Sequence, residues 1–515
     1  MSETSPTPPP AAGASRPSLP SPLYAERDEE RTGERGRDVA RLVDRHALLM
    51  AMMSQLTAGV ILTGYALALG ASRILIGVVA ALPFCAKLAQ LFLSWHIERR
   101  GHWKEAALRW AGAGRCALLL GAAIPFITTL PPLGAVMLLG VVAVASLGGA
   151  VYEMAFLTWM AELVPASERG AFFGARARIA GITSLGVSVI AGFVIDRWHS
   201  VRPGSITPFA VLFAIGAGAG LLGLAYLRRV PAPRRHESRV GALDLREALT
   251  RPARDANFRR LCTFAAVWSF AGSIVSPFYT VYMLEQLQLP FLHVTLFAAT
   301  TSALISVVQL YWGRLGDHFG SKTTLRAGTY LIALVPAIWL LASPQRLWPL
   351  VIIALLSGFA WGSYHLSLGN LILKLAPPGA RPSYIATFGA AQGSAETVAP
   401  IVGGLVLDSL QAMGYAPHSA LRVLIVTSLI LFLLATPLLG AVHEPGGVTV
   451  GRMIRVMGRF RAMGVGMPTA IILDHIFTHL ARIADFVARE DGPPPSPAPP
   501  PSPSSSGPRS GMVSP

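Results

Sequence analysis

Charge is what this sequence has least of. Asp, Glu, Lys and Arg make up 14% of its 515 residues, against about a quarter in a soluble chain. That is too little polar surface to cover a water-soluble globule of this length. Lysine is nearly absent, confined to Lys87, Lys104, Lys322 and Lys374. The three cysteines, Cys85, Cys116 and Cys262, fall inside apolar blocks and lack metal-ligand spacing. They exclude a disulfide framework and read as small buried hydrophobes. There is no Walker loop, which argues against ATP-driven chemistry. No catalytic constellation stands out, and His96, His102 and His318 are not spaced as metal ligands. The expectation is a non-enzyme with no cofactor and no metal.

What the chain has instead is hydrophobicity in blocks. It is 52% hydrophobic, with a mean hydropathy of +0.52. The blocks run about 20 residues, the length that crosses a hydrocarbon core of about 30 Å. Spans are predicted at 46–70, 73–96, 106–128, 133–161, 171–195 and 207–227, then at 261–284, 291–313, 324–342, 348–373, 383–407 and 419–441. The predicted fold class is an all-α membrane protein of twelve transmembrane helices in two six-helix halves, 46–227 and 261–441. A charged, Pro- and Ser-rich tail (1–45) precedes them and reads as disordered rather than as a signal peptide. A basic linker (228–260) joins the halves.

The net charge of +16 raises nucleic acid as a partner, but the basic residues sit between apolar blocks, where topology explains them. Odd-numbered connections carry few, such as Arg73, Arg197 and Arg346. Even-numbered ones carry many: Arg99, Arg100 and Lys104; Arg169, Arg176 and Arg178; the linker from Arg228 to Arg260; and Arg314, Lys322 and Arg326. Both termini and the even connections are therefore expected in the cytoplasm, with the chain in a bacterial inner membrane. The arginine-over-lysine bias fits a GC-rich bacterial genome. After the last span, residues 442–490 carry two amphipathic patterns. In the first, Arg452, Arg455, Arg459 and Arg461 alternate with Val450, Ile454, Met457 and Phe460, as in a helix lying on lipid. A Pro- and Ser-rich tail (491–515) follows. The expected partners are a small-molecule substrate and membrane lipid, with no nucleic acid, and the chain is expected as a monomer.

An internal repeat sets the architecture. LVPASERGAFFGARARIAG from Leu163 resembles LAPPGARPSYIATFGAAQG from Leu375, 212 residues later, and at the same offset IAGFVID (190–196) aligns with VGGLVLD (402–408). QLFLSWHIERRG (90–101) pairs with QLYWGRLGDHFG (309–320). The copies run in the same direction, so the halves are parallel.

The segment GRLGDHFG, Gly313 to Gly320 with Asp317, resembles the signature loop of the major facilitator superfamily, G-x-x-x-D-R-x-G. The first copy keeps an acid–base–glycine skeleton in Glu98, Arg99 and Gly101, although Ser94 replaces the leading glycine. The resemblance covers roughly residues 40–445. It implies alternating access about a midplane site lined by spans 1, 4, 7 and 10. It also implies a cytoplasmic latch, in which Glu98 approaches Arg381 and Asp317 approaches Arg169 at facing helix starts.

Charges inside spans are costly and need a partner or a wet cavity. Glu153 and His365 occupy repeat-equivalent positions near the midplane, roughly 13 Å from the charged span ends by helical rise. Glu153 is the expected proton-coupling site and His365 its partner or a substrate ligand, each weighed against a buried structural pair. Lys87 and Glu396 are an expected intramembrane ion pair, with Arg115 as a competing partner for Glu153. Tyr152, Gln55, Trp268, Tyr279, Trp361, Tyr364 and Asn370 are candidate cavity residues suited to a moderately apolar organic solute. Ala399-Pro400 with Gly403-Gly404 resembles a drug-antiporter motif, but on span 11 rather than span 5; close helix packing is the safer reading. The function expected is a proton-coupled secondary transporter of a small organic solute, with export as the leading direction. Uptake by symport and a non-transporting receptor or scaffold of the same fold are the alternatives.

Overall fold

Backbone polar groups that enter hydrocarbon must be bonded within the chain, and helices meet that demand segment by segment. The computed structural model describes residues 22–100, 103–164, 169–232, 251–377 and 380–444, with 450, 451 and 453, and its regular structure is helical throughout. Span 1 consists of α1 (Pro22–Thr57) and α2 (Gly59–Ala68). Spans 2 to 6 are α3 (Arg73–Arg100), α4 (Trp103–Ile127), α5 (Pro131–Leu163), α6 (Arg169–Val201) and α7 (Thr207–Arg228). Span 7 comprises α8 (Ala256–Ser273), α9 (Ser276–Val281) and a short π turn, Tyr282–Gln286. Spans 8 to 12 are α10 (Phe291–Phe319), α11 (Ser321–Trp339), α12 (Trp348–Leu375), α13 (Arg381–Ala412) and α14 (Pro417–Ala435).

Among the described residues, nine segments are long and apolar enough to cross a membrane. The helices α3, α11 and α13 also have spanning length but are less apolar, which fits the expected twelve. Their polarity has a use. Thr324 on α11 bonds Ser367 on α12 at 2.8 Å, and Ser363 donates to the Thr324 carbonyl at 2.8 Å. The helices α3 and α13 pack on each other across the seam between the halves, as do α6 and α10. The outer surface is left to groups such as Phe126, Ile182 and Leu310, each at least 75% exposed.

Two boundaries differ from the sequence reading. Residues 22–45, expected in the disordered tail, are helical. Opposite charges recur there three residues apart, as at Asp28 and Arg31 or Glu34 and Arg37, a spacing that supports a helix in water. Span 7 starts at Ala256 because the Asp255 carboxylate accepts from the Asn257 and Phe258 amides, at 2.9 and 3.1 Å. The tail 1–21, most of the linker, the amphipathic segments beyond 453 and the tail 491–515 lie outside the described residues.

Each half is tied at the end that bears the linker, called here the basic end. In the N-terminal half, Lys104 Nζ donates to the Val230 carbonyl at 2.6 Å and Trp159 Nε1 to the Pro231 carbonyl at 2.8 Å. In the C-terminal half the buried Glu444 carboxylate accepts from the first two amides of α11, Ser321 at 3.1 Å and Lys322 at 2.7 Å, and from Lys374 Nζ at 2.9 Å. Two amide bonds to a charged group at a helix start are worth about 2–3 kcal/mol together. Glu444→Ala should therefore lower the melting temperature in detergent by several degrees, whereas Lys374→Ala, whose ammonium is half exposed, should lower it less. Equal melting of Glu444→Ala and the parent protein would refute the tie.

Candidate functional site

Spans 1 and 7, equivalent in the two halves, are both broken at mid-length. Span 1 breaks between Thr57 and Gly59, where Gly59 has φ +56°, a conformation glycine adopts freely. Span 7 breaks at Ile274–Val275, just before Pro277, which has no amide hydrogen to give. A cavity of about 540 Å³ lies at the two breaks. Its polar lining comes from Gln55, Thr63 and Ser188 on the N-terminal side and from Ser273, Ser276, Thr280, Thr295 and Ser302 on the other. Ser188 Oγ donates to Gln55 Oε1 at 2.8 Å, which leaves the Gln55 amino group to the cavity. Ile61, Ile76, Val79 and Phe84 supply much of the apolar wall.

A second cavity of about 400 Å³ lies along the α3–α13 seam, nearer the basic end. Lys87 and Glu396 both line it, with Met154 of α5. The expected ion pair is not closed. Glu396 Oε1 instead accepts from Gln392 Nε2 at 2.8 Å, one turn away on its own helix. Arg115 is not part of this pair or of a Glu153 ion pair. It is buried in the N-terminal half, with its guanidinium 5.1 Å over the Tyr152 ring and Nη2 2.8 Å from Met50 Sδ.

The cavity-aromatic expectation needs correction. Tyr152, Trp268, Tyr279 and Tyr364 do not line either cavity. Trp268 stacks on Tyr364 at 5.9 Å and packs on Phe432 at 4.5 Å, Tyr279 stacks on Trp339 at 4.4 Å, and Tyr152 bonds His46 Nε2 at 2.5 Å. They fill the bundle interiors, because each six-helix half needs large apolar side chains of its own to pack. Spans 4 and 10 likewise contribute no residue to the larger cavity; spans 1, 2, 5, 7, 8 and 11 do. Of the expected cavity residues, Gln55 alone lines it. Glu153 and His365 are both exposed and do not bond each other. His365 lies against Trp361 at 5.5 Å, and Asn370 is half-buried farther along α12.

The sequence reading also passed over His46, whose Nδ1 bonds the Gly223 carbonyl at 2.9 Å. It likewise missed the role of Asp196 and Asp408, although it aligned them. At the end opposite the linker, called here the far end, each carboxylate holds the start of a helix from the other half. Asp196 on α6 accepts from the Phe291 and Leu292 amides of α10 at 2.7 and 2.8 Å. Asp408 on α13 accepts from the Arg73 and Ile74 amides of α3 at 3.2 and 3.0 Å. The arrangement is the same in both halves, down to the glycine one turn before each aspartate. A Cβ on Gly192 would meet the Leu292 backbone at 2.8 Å, and one on Gly404 the Ile74 backbone at 2.6 Å. Arg73 adds a bidentate ion pair with Glu285 beside the seal. Among the described residues, every hydrogen bond between the halves lies at this far end.

At the basic end, Gly320 has φ +91° and reverses the chain between α10 and α11, so the last glycine of the signature segment is required by the backbone. Gly313 lies within α10. Asp317 and Arg381 are exposed, and neither has an ion pair among the described residues. The side chains of Glu98, Arg99 and Arg169, and all of Gly101, lie outside them.

The sequence profile described as Major Facilitator Superfamily matches residues 261–452. A crystal structure of a mutant of the nucleoside transporter NupG superposes with a TM-score of 0.66 at 14% identity, over 78% of this chain and 99% of that one. A bacterial homologue of the iron transporter ferroportin in the inward-facing state gives 0.60 at 16% identity, over 79% and 99%. The xylose transporter XylE from E. coli gives 0.57 at 15%, over 81% and 99%. No curated protein matches by sequence. The superfamily's sequence is thus matched in the C-terminal half, while the fold of these transporters extends over both halves. With nine described segments long and apolar enough to cross a membrane, the chain has the helices of a multi-pass membrane protein. The profile covers the half that carries the better copy of the signature segment, Gly313 to Gly320.

Proposed function

We propose that the chain is a secondary active transporter that moves a small organic solute by alternating access, driven by a proton gradient. The observation that supports this reading is the paired far-end seal set above a cavity at two broken spans. The two aspartate-to-helix contacts are few and of one kind. They can be broken together by a rocking of the halves without disturbing either bundle, and discontinuous spans near the midplane supply free polar groups where a solute is held. In the opposite state the basic end closes, and Asp317 then meets Arg169 while Glu98 meets Arg381, each acid favoured by the facing helix start. We assign the basic end and both termini to the cytoplasm of a bacterial inner membrane, on the distribution of arginine.

The coupling groups of this reading are Glu153, with His365 as its partner or as a ligand of the solute, and the Glu396–Lys87 pair. Carboxylates kept at this depth require a partner or a wet cavity. Lys87 and Glu396 share one, and Met154, next to Glu153, lines the same cavity. Glu153→Gln and Glu396→Gln should each reduce pH-gradient-driven accumulation in proteoliposomes at least about tenfold, while solute exchange without a gradient persists. Unchanged gradient-driven accumulation in both variants would remove proton coupling. The sign of net flux in everted vesicles separates export by antiport from uptake by symport. Absence of any flux, in the wild type as in the variants, would favour the receptor reading.

A further inference from the structure

The larger cavity is divided chemically between the halves, and the division specifies what it takes. The C-terminal half provides hydroxyls: Ser273 and Ser276 on either side of the span 7 break, Thr280 one turn on, and Ser302 on α10. None of the four has a hydrogen bond from its side chain to another described group, so each can both donate and accept toward a solute. The N-terminal half provides the amino group of Gln55 and an apolar wall that includes Ile61, Ile76 and Phe84, while its two hydroxyls, Thr63 and Ser188, already donate to the Gly59 carbonyl and to Gln55. Among the described residues, no Asp, Glu, Lys, Arg or His lines this cavity. The ionisable pair Lys87 and Glu396 faces the other one.

We infer that the transported solute is a neutral, polyhydroxylated ring compound, bound with its hydroxyl edge toward the C-terminal half and its apolar face toward the N-terminal wall. This assignment rests on the transporter reading above and adds the substrate class to it. Three physical points support it. A solute charge would enter a low-dielectric space with no counter-charge, which is strongly unfavourable. A purely apolar solute would leave four hydroxyls and a carboxamide unmatched, and a site built to bond hydroxyls rejects analogues lacking them. A volume of about 540 Å³ falls within the range of small-ligand sites and leaves room for one ring or two. A sugar and the ribose of a nucleoside share this chemistry.

The test uses the full-length protein in proteoliposomes, loaded for counterflow, with four probes: D-glucose, uridine, glucose 6-phosphate and uridine monophosphate. The expected result is exchange of glucose or uridine, with the phosphorylated derivative of the exchanged probe at least about a hundredfold slower. Which neutral probe moves tells sugar from nucleoside. Ser276→Ala and Ser302→Ala should each weaken half-saturation about five- to tenfold, the loss of one hydrogen bond, whereas Ile182→Val on the outer surface should leave half-saturation and discrimination against phosphate unchanged. Faster exchange of a phosphorylated probe than of its parent overturns the assignment, and so does an absence of exchange with all four. Labelling of Ala80→Cys from the far side, measured in the same preparation, distinguishes the two failures. If labelling shows the far end opening and closing while no neutral probe moves, the solute assignment alone is wrong. If labelling never changes, the transport reading has failed.

Discussion

Replacing Asp196 and Asp408 together by asparagine should open the far end. Each aspartate accepts two backbone amides at the start of a helix from the other half, at 2.7–3.2 Å. Asparagine keeps the shape and one acceptor oxygen but loses the charge. Hydrogen bonds to a charged group are roughly twice as strong as neutral ones, and the helix start adds its own attraction for an anion. A loss of about 1–2 kcal/mol per site is expected, so the double variant shifts the sealed-to-open ratio by roughly thirty- to several-hundredfold. The readout is the rate at which a membrane-impermeant thiol reagent, applied from the far side, modifies Ala80→Cys in the cavity wall. The three native cysteines, of which Cys85 and Cys116 are exposed, are first replaced. Labelling should accelerate at least about tenfold in the double variant and by a smaller factor in each single one. An unchanged rate in the double variant would sink the seal as a gate.

The second large effect is expected at Gly404. A side chain there collides with the backbone of α3, at 2.5 Å from the Arg73 carbonyl and 2.6 Å from Ile74 Cα. Backbone cannot rotate aside as a side chain can, so α3 must retreat, and the Asp408 bonds one turn along are lost with it. Because the collision is between halves, neither bundle is overpacked. Gly404→Val should therefore cut transport about tenfold to a hundredfold with little change in melting temperature. The adjacent glycine provides the contrast. A Cβ on Gly403 meets the Ile274 carbonyl, which belongs to the same half. Gly403→Val should destabilise the C-terminal bundle itself and lower its melting temperature. Gly186, with nothing within 4 Å of an added Cβ, is the control position. If Gly404→Val melts early, or transports normally, the division between gating and folding glycines is wrong.

These two variants also mark where the sequence was readable and where it was not. The repeat aligned Gly192 with Gly404 and Asp196 with Asp408, so the elements of the seal were visible. Their purpose was not, because the amides they hold lie far away in sequence, from Asp408 to Arg73 and from Asp196 to Phe291, and a backbone amide has no signature in sequence. Hydropathy located the spans because the membrane imposes a length on each. It gave no information on rotation. A helix turns through about 100° per residue, so a slight error in assigning a face moves a side chain from cavity to core. Trp268, Tyr279 and Tyr364 were misplaced in this way. Gln55 and the serines at the span 7 break lie beside interruptions in helices, whereas Ser188 and Ser302 reach the cavity from unbroken ones. Pro277 was the available signal for the second of these breaks. Lys87 and Glu396 line one cavity without forming an ion pair, and Gln392, one turn from Glu396 on the same helix, donates to the carboxylate instead.

Glu444 extends the folded unit past its last apolar residue. The stretch after α14 returns to clasp two neighbouring helices, so the safe point for attaching a fluorescent protein or an affinity handle lies beyond Glu444. A fusion joined at Ala441, where hydropathy alone would place the end, would omit that carboxylate. The first two amides of α11 would then lack an acceptor, and any loss of signal would report a loosened bundle and not the side of the membrane on which the handle sits.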